Sequence, residues 1–135
     1  MLIVKTSAKP STIQGVGLFA EEKIPKGTVI WKFNPIFDIL FDPEEILNMS
    51  DTEKELLNRY SYLSIATGKY VYSIDNSRFT NHSSTMNNVD VCFVPGEQEA
   101  LEIANRDIEE GEEILVNYRT FDAGDETSTE EYLNS

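Results

Sequence analysis

The sequence predicts a single, mainly β domain of short strands with one helical insert. The chain has 135 residues, of which 40% are hydrophobic, so it is long enough to bury one core and too short for two ordinary domains. Short β-type runs recur along the chain, and only one stretch has clear helical spacing. No internal repeat and no linker rich in Gly, Ser or Pro interrupts them. Together these observations indicate an irregular, β-dominated domain.

The first β-type runs flank a turn. GVGLFA (15–20) precedes turn chemistry at Pro25–Gly27, and the β-rich run 28–33 follows it. This order predicts a strand, a turn and a second strand. Four later runs also read as strands: KYVYSI, VDVCFVP, ALEIANRDI and EEILVNY.

The helical insert is predicted at about residues 43–66. Pro43 stands near a helix start, and the apolar residues that follow have helical spacing. Ser50 and Glu53 form a capping-box pattern inside the stretch. That pattern indicates two short helices rather than one.

The charge of the chain is strongly negative and unevenly distributed. The formal net charge is -13, and residues 97–135 hold 13 acidic side chains against only Arg106 and Arg119. Such a field repels phosphates and attracts basic partners. We therefore expect no direct nucleic-acid binding, and a basic protein or peptide as partner, with plain solubility as the alternative explanation of the charge.

Cysteine and histidine counts exclude several protein classes. Cys92 and His82 are the only residues of their types, so no intramolecular disulfide and no zinc site of the usual thiolate and imidazole kind can form, and no metal is expected. No run approaches the ~20 apolar residues of a membrane span, and no signal peptide is visible. The default expectation is an intracellular, cytoplasmic protein, with a nuclear or host-cell location left open.

The single histidine lies in a polar stretch, RFTNHSSTMNN (78–88). Ser83 adjoins His82, but neighbouring side chains point apart and cannot form a nucleophile and base pair. The acidic stretch DAGDETSTEE also lacks the residue order of a calcium loop. Two readings remain: Asn81 and His82 present hydrogen-bonding groups to a polar heterocycle such as adenine, or His82 is a structural residue that holds a loop.

Four motifs in order settle the context: GVGLFA, IPKGTVI, RFTNHS followed by Asn87, and EEGEEILVNY. In this order they resemble the SET domain of S-adenosylmethionine-dependent protein lysine methyltransferases, over about residues 5–118. The resemblance implies a β-clip-like fold with a knot-like C-terminal threading. It places a SET domain at residues 1–120 and an acidic flanking segment at 121–135.

The resemblance also implies residue roles. Tyr118, which closes the motif Glu-x-x-x-Asn-Tyr, would be catalytic, and Phe33 and Tyr72 would wall a substrate channel with it. Asn87 matches the second asparagine of the family motif. The S-adenosylmethionine site would be formed by Gly15, Val16, Gly17, Leu18, Arg78, Asn81, His82 and Phe121.

The sequence departs from the family pattern in one important respect. The cysteine-rich zinc element that follows the core in many relatives is missing, so Phe121 or Tyr132 would have to fold back as a lid. A loose polar tail is the alternative. The acidic side chains of this segment would attract a basic peptide: Asp122, Asp125 and Glu126.

The sequence thus predicts transfer of a methyl group to a lysine side chain of a basic protein. Two alternatives remain. One is a SET-like acidic module that binds basic proteins or peptides without catalysis. The other is an unrelated β-clip-like binding domain that shares only the IPKGTVI hairpin.

Overall fold

The computed structural model describes residues 1–135, and most of its regular structure is short strands. The prediction of a mainly β fold with few helices is confirmed. The strands are β1 (Thr6–Pro10), β2 (Val16–Ala20), β3 (Val29–Trp31), β4 (Asp38–Phe41), β5 (Ser61–Leu63), β6 (Tyr70–Ser73), β7 (Asn81–His82), β8 (Val89–Cys92), β9 (Leu101–Ala104) and β10 (Leu115–Val116). The α-helices are α1 (Pro43–Leu47), α2 (Asp51–Tyr60) and α3 (Ala123–Glu126), and single 3-10 turns cover Asn76–Phe79, Tyr118–Thr120 and Glu131–Asn134.

The strands form three small sheets. β1 pairs with β2, a three-stranded sheet has the order β4-β6-β5, and a five-stranded sheet has the order β3-β9-β8-β10-β7. β10 runs parallel to both of its neighbours, β7 and β8. Because residues 83–88 join β7 directly to β8, the chain places β10 between two strands that are already connected. The knot-like threading implied by the resemblance requires this arrangement.

One apolar core lies beneath the small sheets. It holds nine buried residues from β2, β3, β8, β9, β10 and the segments between them: Leu18, Ala20, Ile24, Ile30, Val89, Ala104, Ile108, Ile114 and Val116. A second cluster of Trp31, Phe33 and Val71 links β3 to β6. The two clusters hold the five-stranded and three-stranded sheets around the cavity described below.

The two helices of the insert have the predicted caps. Ser50 accepts a hydrogen bond from the Glu53 amide, and the Glu53 side chain reaches back to the Ser50 backbone. However, α2 ends at Tyr60 and residues 61–63 form β5, so the prediction of helix to about residue 66 is wrong. Tyr62 and Leu63 pair with β6, the next strand along the chain, and this strand pairing overrides their helical spacing.

The first two predicted strands do not form a hairpin. The turn at Pro25–Gly27 is present, with the Thr28 amide donating to the Pro25 carbonyl at 3.1 Å. β2 pairs with β1, whereas β3 pairs with β9. The turn therefore carries the chain from one sheet to another.

The C-terminal segment packs against the rest of the domain. Leu133 is fully buried, and the Ser135 carbonyl accepts a hydrogen bond from the Ser84 amide at 2.7 Å. The Phe121 carbonyl accepts another from the Ile65 amide at 2.9 Å. Residues 121–135 are thus a docked segment and not the loose tail of the alternative reading.

Candidate active site

A cavity of about 470 Å³ lies where α2, β5, β6 and the C-terminal segment meet. Its aromatic lining is Trp31, Tyr60, Tyr62, Tyr118, Phe121 and Tyr132. Its acidic lining is Glu102, Asp122, Asp125 and Glu130, and its basic lining is Arg59 and Arg78. The cavity is therefore an aromatic chamber with an excess of carboxylates.

Tyr118, the predicted catalytic residue, is held firmly in this cavity. Its hydroxyl donates a hydrogen bond to the Thr80 carbonyl at 2.6 Å. The ring of Phe121 stands edge-on to the Tyr118 ring, with centroids 5.8 Å apart. Burial raises the pKa of Tyr118 well above its ordinary value, and nearby acidic groups add to the rise. The phenol is therefore neutral and oriented.

His82 connects Tyr118 to the C-terminal segment. The Tyr118 amide donates to Nδ1 of His82 at 2.9 Å, which fixes the neutral tautomer with its proton on Nε2. Nε2 then donates to the Leu133 carbonyl at 3.1 Å. Both ring nitrogens are occupied by the protein, so a contact of His82 with the adenosyl group would have to use its ring face or its backbone.

Asn81 fastens the glycine loop to the strand that leads to Tyr118. Its Nδ2 donates to the Gln14 carbonyl at 3.0 Å and to Glu113 Oε1 at 2.9 Å. It also lies 3.3 Å from the Val16 carbonyl. Glu113 Oε2 accepts a further bond from Ser11 Oγ at 2.9 Å. In this structure the asparagine side chain positions the loop, and its predicted contact with the cofactor remains a prediction.

The two glycines of the loop are needed for different reasons. Gly15 has a φ of +47°, in the left-handed region that favours glycine. At Gly17 an added Cβ would overlap with the carboxyl group of Glu113. Between and after them, Val16 is exposed and Leu18 lies in the core, and none of the four lines the cavity.

Arg78 is the predicted cofactor residue that reaches the cavity with a free charge. Its guanidinium lies 4.9 Å from the ring centroids of both Tyr60 and Phe79. Its only side-chain hydrogen bond is a long one of 3.5 Å to the Tyr72 hydroxyl, and no carboxylate pairs with it. Arg78 can therefore bind an anionic group of a ligand.

The predicted channel residues other than Tyr118 lie outside the cavity. Phe33 packs with Trp31 and Val71 in the second cluster, and Tyr72 is on the face of β6 opposite Val71. Because side chains alternate along a strand, Val71 and Ser73 face the cavity and Tyr72 does not. Trp31 and Tyr62 wall the cavity in their place.

Sequence reasoning missed one buried amide near the threading loop. Asn88 is 1% exposed, and its side chain donates to the Glu113 carbonyl at 2.8 Å and accepts from the Leu115 amide at 2.9 Å. Asn87, which matches the family motif, makes a local bond to the Val89 carbonyl at 3.1 Å. The pair of adjacent asparagines was the only signal in the sequence.

Glu99 and Glu102 place two carboxyl groups near the aromatic walls. Glu99 accepts hydrogen bonds from the Ala100 amide at 2.7 Å and from the Tyr62 hydroxyl at 3.3 Å. Glu102 lines the cavity and has no hydrogen-bond or ion-pair partner. Burial raises the pKa of Glu102 to about 7; the nearby N-terminal ammonium opposes this rise, whereas Asp75 and Glu99 add to it.

Two negative observations complete the site. No three side chains of the metal-ligating types lie close enough together to hold a metal ion. None of the helices is both long and apolar enough to cross a membrane.

The fold and the site together define a SET domain. Residues 15–119 match the family model described as SET domain, so the chain belongs to this family and the predicted family membership is confirmed. The chain is 28% identical over 120 residues to the Aspergillus oryzae protein "Histone-lysine N-methyltransferase, H3 lysine-36 specific". That alignment covers 86% of this chain but only 12% of the relative.

Solved structures show the same fold. A humanized mutant of the Chaetomium thermophilum Polycomb Repressive Complex 2, bound to an inhibitor, matches with a TM-score of 0.62 and 26% identity over 87% of this chain and 15% of that chain. A similar complex in an autoinhibited conformation, bound to S-adenosylmethionine, matches with a TM-score of 0.63 and 26% identity over 87% of this chain and 16% of that one. A candidate histone methyltransferase from Plasmodium falciparum, 21% identical with a TM-score of 0.55, supports the fold alone; the match covers 83% of this chain and 90% of that one.

Proposed function

We propose that this SET domain transfers a methyl group from S-adenosylmethionine to a lysine side chain of a basic protein. The observation that carries the proposal is the cavity in which Tyr118 holds a fixed hydroxyl among aromatic walls. The family membership, the activity named for the Aspergillus relative and the S-adenosylmethionine bound to a structural neighbour support the same chemistry.

The residues of the cavity fit the cofactor. The volume of about 470 Å³ lies within the ~300–1,000 Å³ typical of small-molecule sites. Arg78, which lacks a carboxylate partner, would bind the carboxylate of the methionine part, and Ser77 and Asn58 add polar groups to the lining of the same cavity. When bound, the cofactor supplies a methyl group on a positively charged sulfur, ready for direct displacement.

The residues of this chain would prepare the nucleophile. A lysine in water has a pKa near ~10.4 and is protonated at neutral pH, so it must lose a proton before it can attack. Walls formed by Trp31 and Tyr62 exclude water and disfavour the ammonium form. The Tyr118 hydroxyl, fixed by the Thr80 carbonyl, would orient the amine and the methyl group in line.

The acidic lining favours a basic substrate. Asp122, Asp125 and Glu130 all line the cavity, whereas Glu126 is exposed and outside it. Carboxylates at this place raise the encounter rate of a lysine-rich segment more than its final affinity. Histone tails, ribosomal proteins and other lysine-rich segments all have the required charge.

The proposal is tested by two measurements on the purified protein. Calorimetric titration with S-adenosylmethionine should show micromolar binding that Tyr118→Phe preserves. Transfer of labelled methyl groups to core histones and to lysine-rich peptides should be lost in that variant. Lysine-rich peptides that bind without cofactor binding or transfer would establish the acidic binding module instead.

Two neighbouring glutamates allow the effect of charge at the cavity to be tested with matched variants. Glu130 lines the cavity and its neighbour Glu131 does not, although both are exposed acids in the same segment. Glu130→Gln should slow peptide association at low salt by about two- to threefold, and Glu131→Gln should change it less. If the two variants slow peptide association equally, the acidic side chains contribute to solubility and not to substrate binding at the cavity.

A further inference from the structure

Glu102 is a cavity residue with no assigned role. It lies on β9, pairs across the sheet with Trp31, and both residues line the cavity. No donor in the protein bonds to its carboxylate, although Glu99, three residues earlier, has two. Glu102 is half-buried, and its carboxylate can be reached from the cavity. A carboxylate among aromatic walls that no protein donor occupies is open to a cationic ligand.

The charged groups that face Glu102 leave it without a strong counter-ion. Asp75 and Glu99 are negative, and the N-terminal ammonium bonds to Asp38 at 2.6 Å. The phenols of Tyr62 and Tyr118 are neutral, and Glu102 is close enough to add to the rise in pKa that burial causes in each. This end of the cavity therefore suits a cation, and the aromatic walls suit one on an apolar stem.

We propose that Glu102 receives the ammonium group of the target lysine and accepts a proton from it. This inference rests on the proposed methyl transfer at the same cavity. One N–H bond of the ammonium breaks, an O–H bond forms on Glu102, and the electron pair remains on the nitrogen. That pair then forms the N–C bond to the methyl group as its bond to the sulfonium sulfur breaks, the sulfur keeping the bonding pair. Glu102 later releases its proton to water.

The proton affinity of Glu102 matches this task better than an ordinary carboxylate would. A glutamate with a pKa near ~4.3 is a poor acceptor from a lysine with a pKa near ~10.4. Burial raises the pKa of Glu102 to about 7, which brings it closer to the pKa of the lysine. Burial of the lysine lowers the pKa of its ammonium group and reduces the difference between the two pKa values further. A base with a pKa near the working pH is the efficient choice.

A cation probe tests the site without cofactor or substrate. The protein is labelled with ¹³C at the glutamate carboxyls, and the Glu102 signal is titrated with pH. The signal is assigned by its loss in Glu102→Gln and, independently, by its loss in Glu102→Asp. n-Butylammonium, which has the head and stem of a lysine side chain, should lower the Glu102 midpoint by at least one pH unit against sodium chloride of equal ionic strength. 1-Butanol should not.

Matched variants and kinetics complete the test. Glu102→Gln should weaken n-butylammonium binding at least tenfold, and Glu131→Gln should not. Once a protein or peptide that this domain methylates has been identified, Glu102→Gln should lower kcat for it and should remove the rise of kcat between pH 6 and 8. An unmoved Glu102 midpoint would overturn the proposal even if the variant fails to fold. Failure of S-adenosylmethionine to bind would contradict the proposed methyl transfer, but it would not contradict a cation site at Glu102.

Discussion

Replacement of Gly17 by alanine should destabilise the domain through Glu113. The added Cβ would overlap with Oε1 and lie 2.8 Å from Cδ of Glu113, whereas carbon atoms in contact are about 3.5–4.0 Å apart. The carboxyl group must therefore move by roughly 1 Å. Such a shift breaks the 2.9 Å bonds from Ser11 and Asn81 to this carboxylate.

The size of the effect follows from those two bonds. Hydrogen bonds to a charged group contribute about 1.5–3 kcal/mol each, and water replaces part of this at a partly exposed site. We expect Gly17→Ala to lower the free energy of unfolding by about 2–4 kcal/mol, and the melting temperature by about 10 °C. Urea unfolding followed by tryptophan fluorescence measures it.

A double-mutant cycle tests whether the carboxyl group of Glu113 causes the loss of stability. In a Glu113→Ala background the carboxyl obstruction is removed, and only the Cβ of Ser11, at 3.0 Å, still crowds the added methyl group. Gly17→Ala should then cost less than about 1 kcal/mol, which corresponds to a coupling of about 2 kcal/mol. Gly15→Ala is the control, because its Cβ would meet no atom and only its positive φ opposes alanine. Its cost should be the same in both backgrounds. Equal costs of Gly17→Ala in the two backgrounds would refute the steric argument.

Three further predictions concern the docked segment, the catalytic hydroxyl and Glu102. Leu133→Ala should cost about 2–5 kcal/mol in urea unfolding, because Leu133 is fully buried, and a loss below 1 kcal/mol would contradict the docking of the segment. Tyr118→Phe should lower the rate of methyl transfer about 100-fold or more while changing the free energy of unfolding by less than about 1.5 kcal/mol; an unchanged rate would remove the catalytic role. The pKa of Glu102 is about 7 in the folded protein and 4.5 ordinarily, so the folded state holds a proton on this carboxyl over a pH range in which the unfolded state has lost it. The stability that this proton contributes is fully present below pH 4.5 and is lost as the pH rises through 7. Glu102→Gln should therefore gain stability relative to the parent protein between pH 5 and 8, by about 2–3 kcal/mol at most, and parallel stability profiles would show that the carboxyl is not buried.

Local signals in the sequence predicted local structure well. The capping box at Ser50 and the proline at Pro43 placed both helix starts, because each acts within one turn of the chain. Each of the four later β-type runs contains a strand, namely β6, β8, β9 and β10. The four motifs predicted the family. They also singled out Tyr118, which lines the cavity.

Pairing between strands explains what the sequence did not predict. Helical spacing through residue 63 gave way to pairing with β6, and β2 and β3 found separate partners. Glu102 faces the cavity because β3 and β9 pair through an irregular register, which no pattern in β9 alone reveals. The motif singled out Asn81, but it did not predict the hydrogen bond of Asn81 to Glu113, which lies 32 residues away.

The position of β10 has a consequence for the speed of folding. Leu115 and Val116 pair with Asn81 and His82 on one side, and Val116 with Val89 on the other, so the sheet closes only when a late segment enters between two earlier ones. Contacts of such sequence separation slow the search, and parallel pairing adds to the delay. During synthesis, the edges of β7 and β8 that pair with β10 stay unpaired until β10 emerges from the ribosome. We expect folding of this small domain on the millisecond-to-second scale, with β10 insertion as its last step.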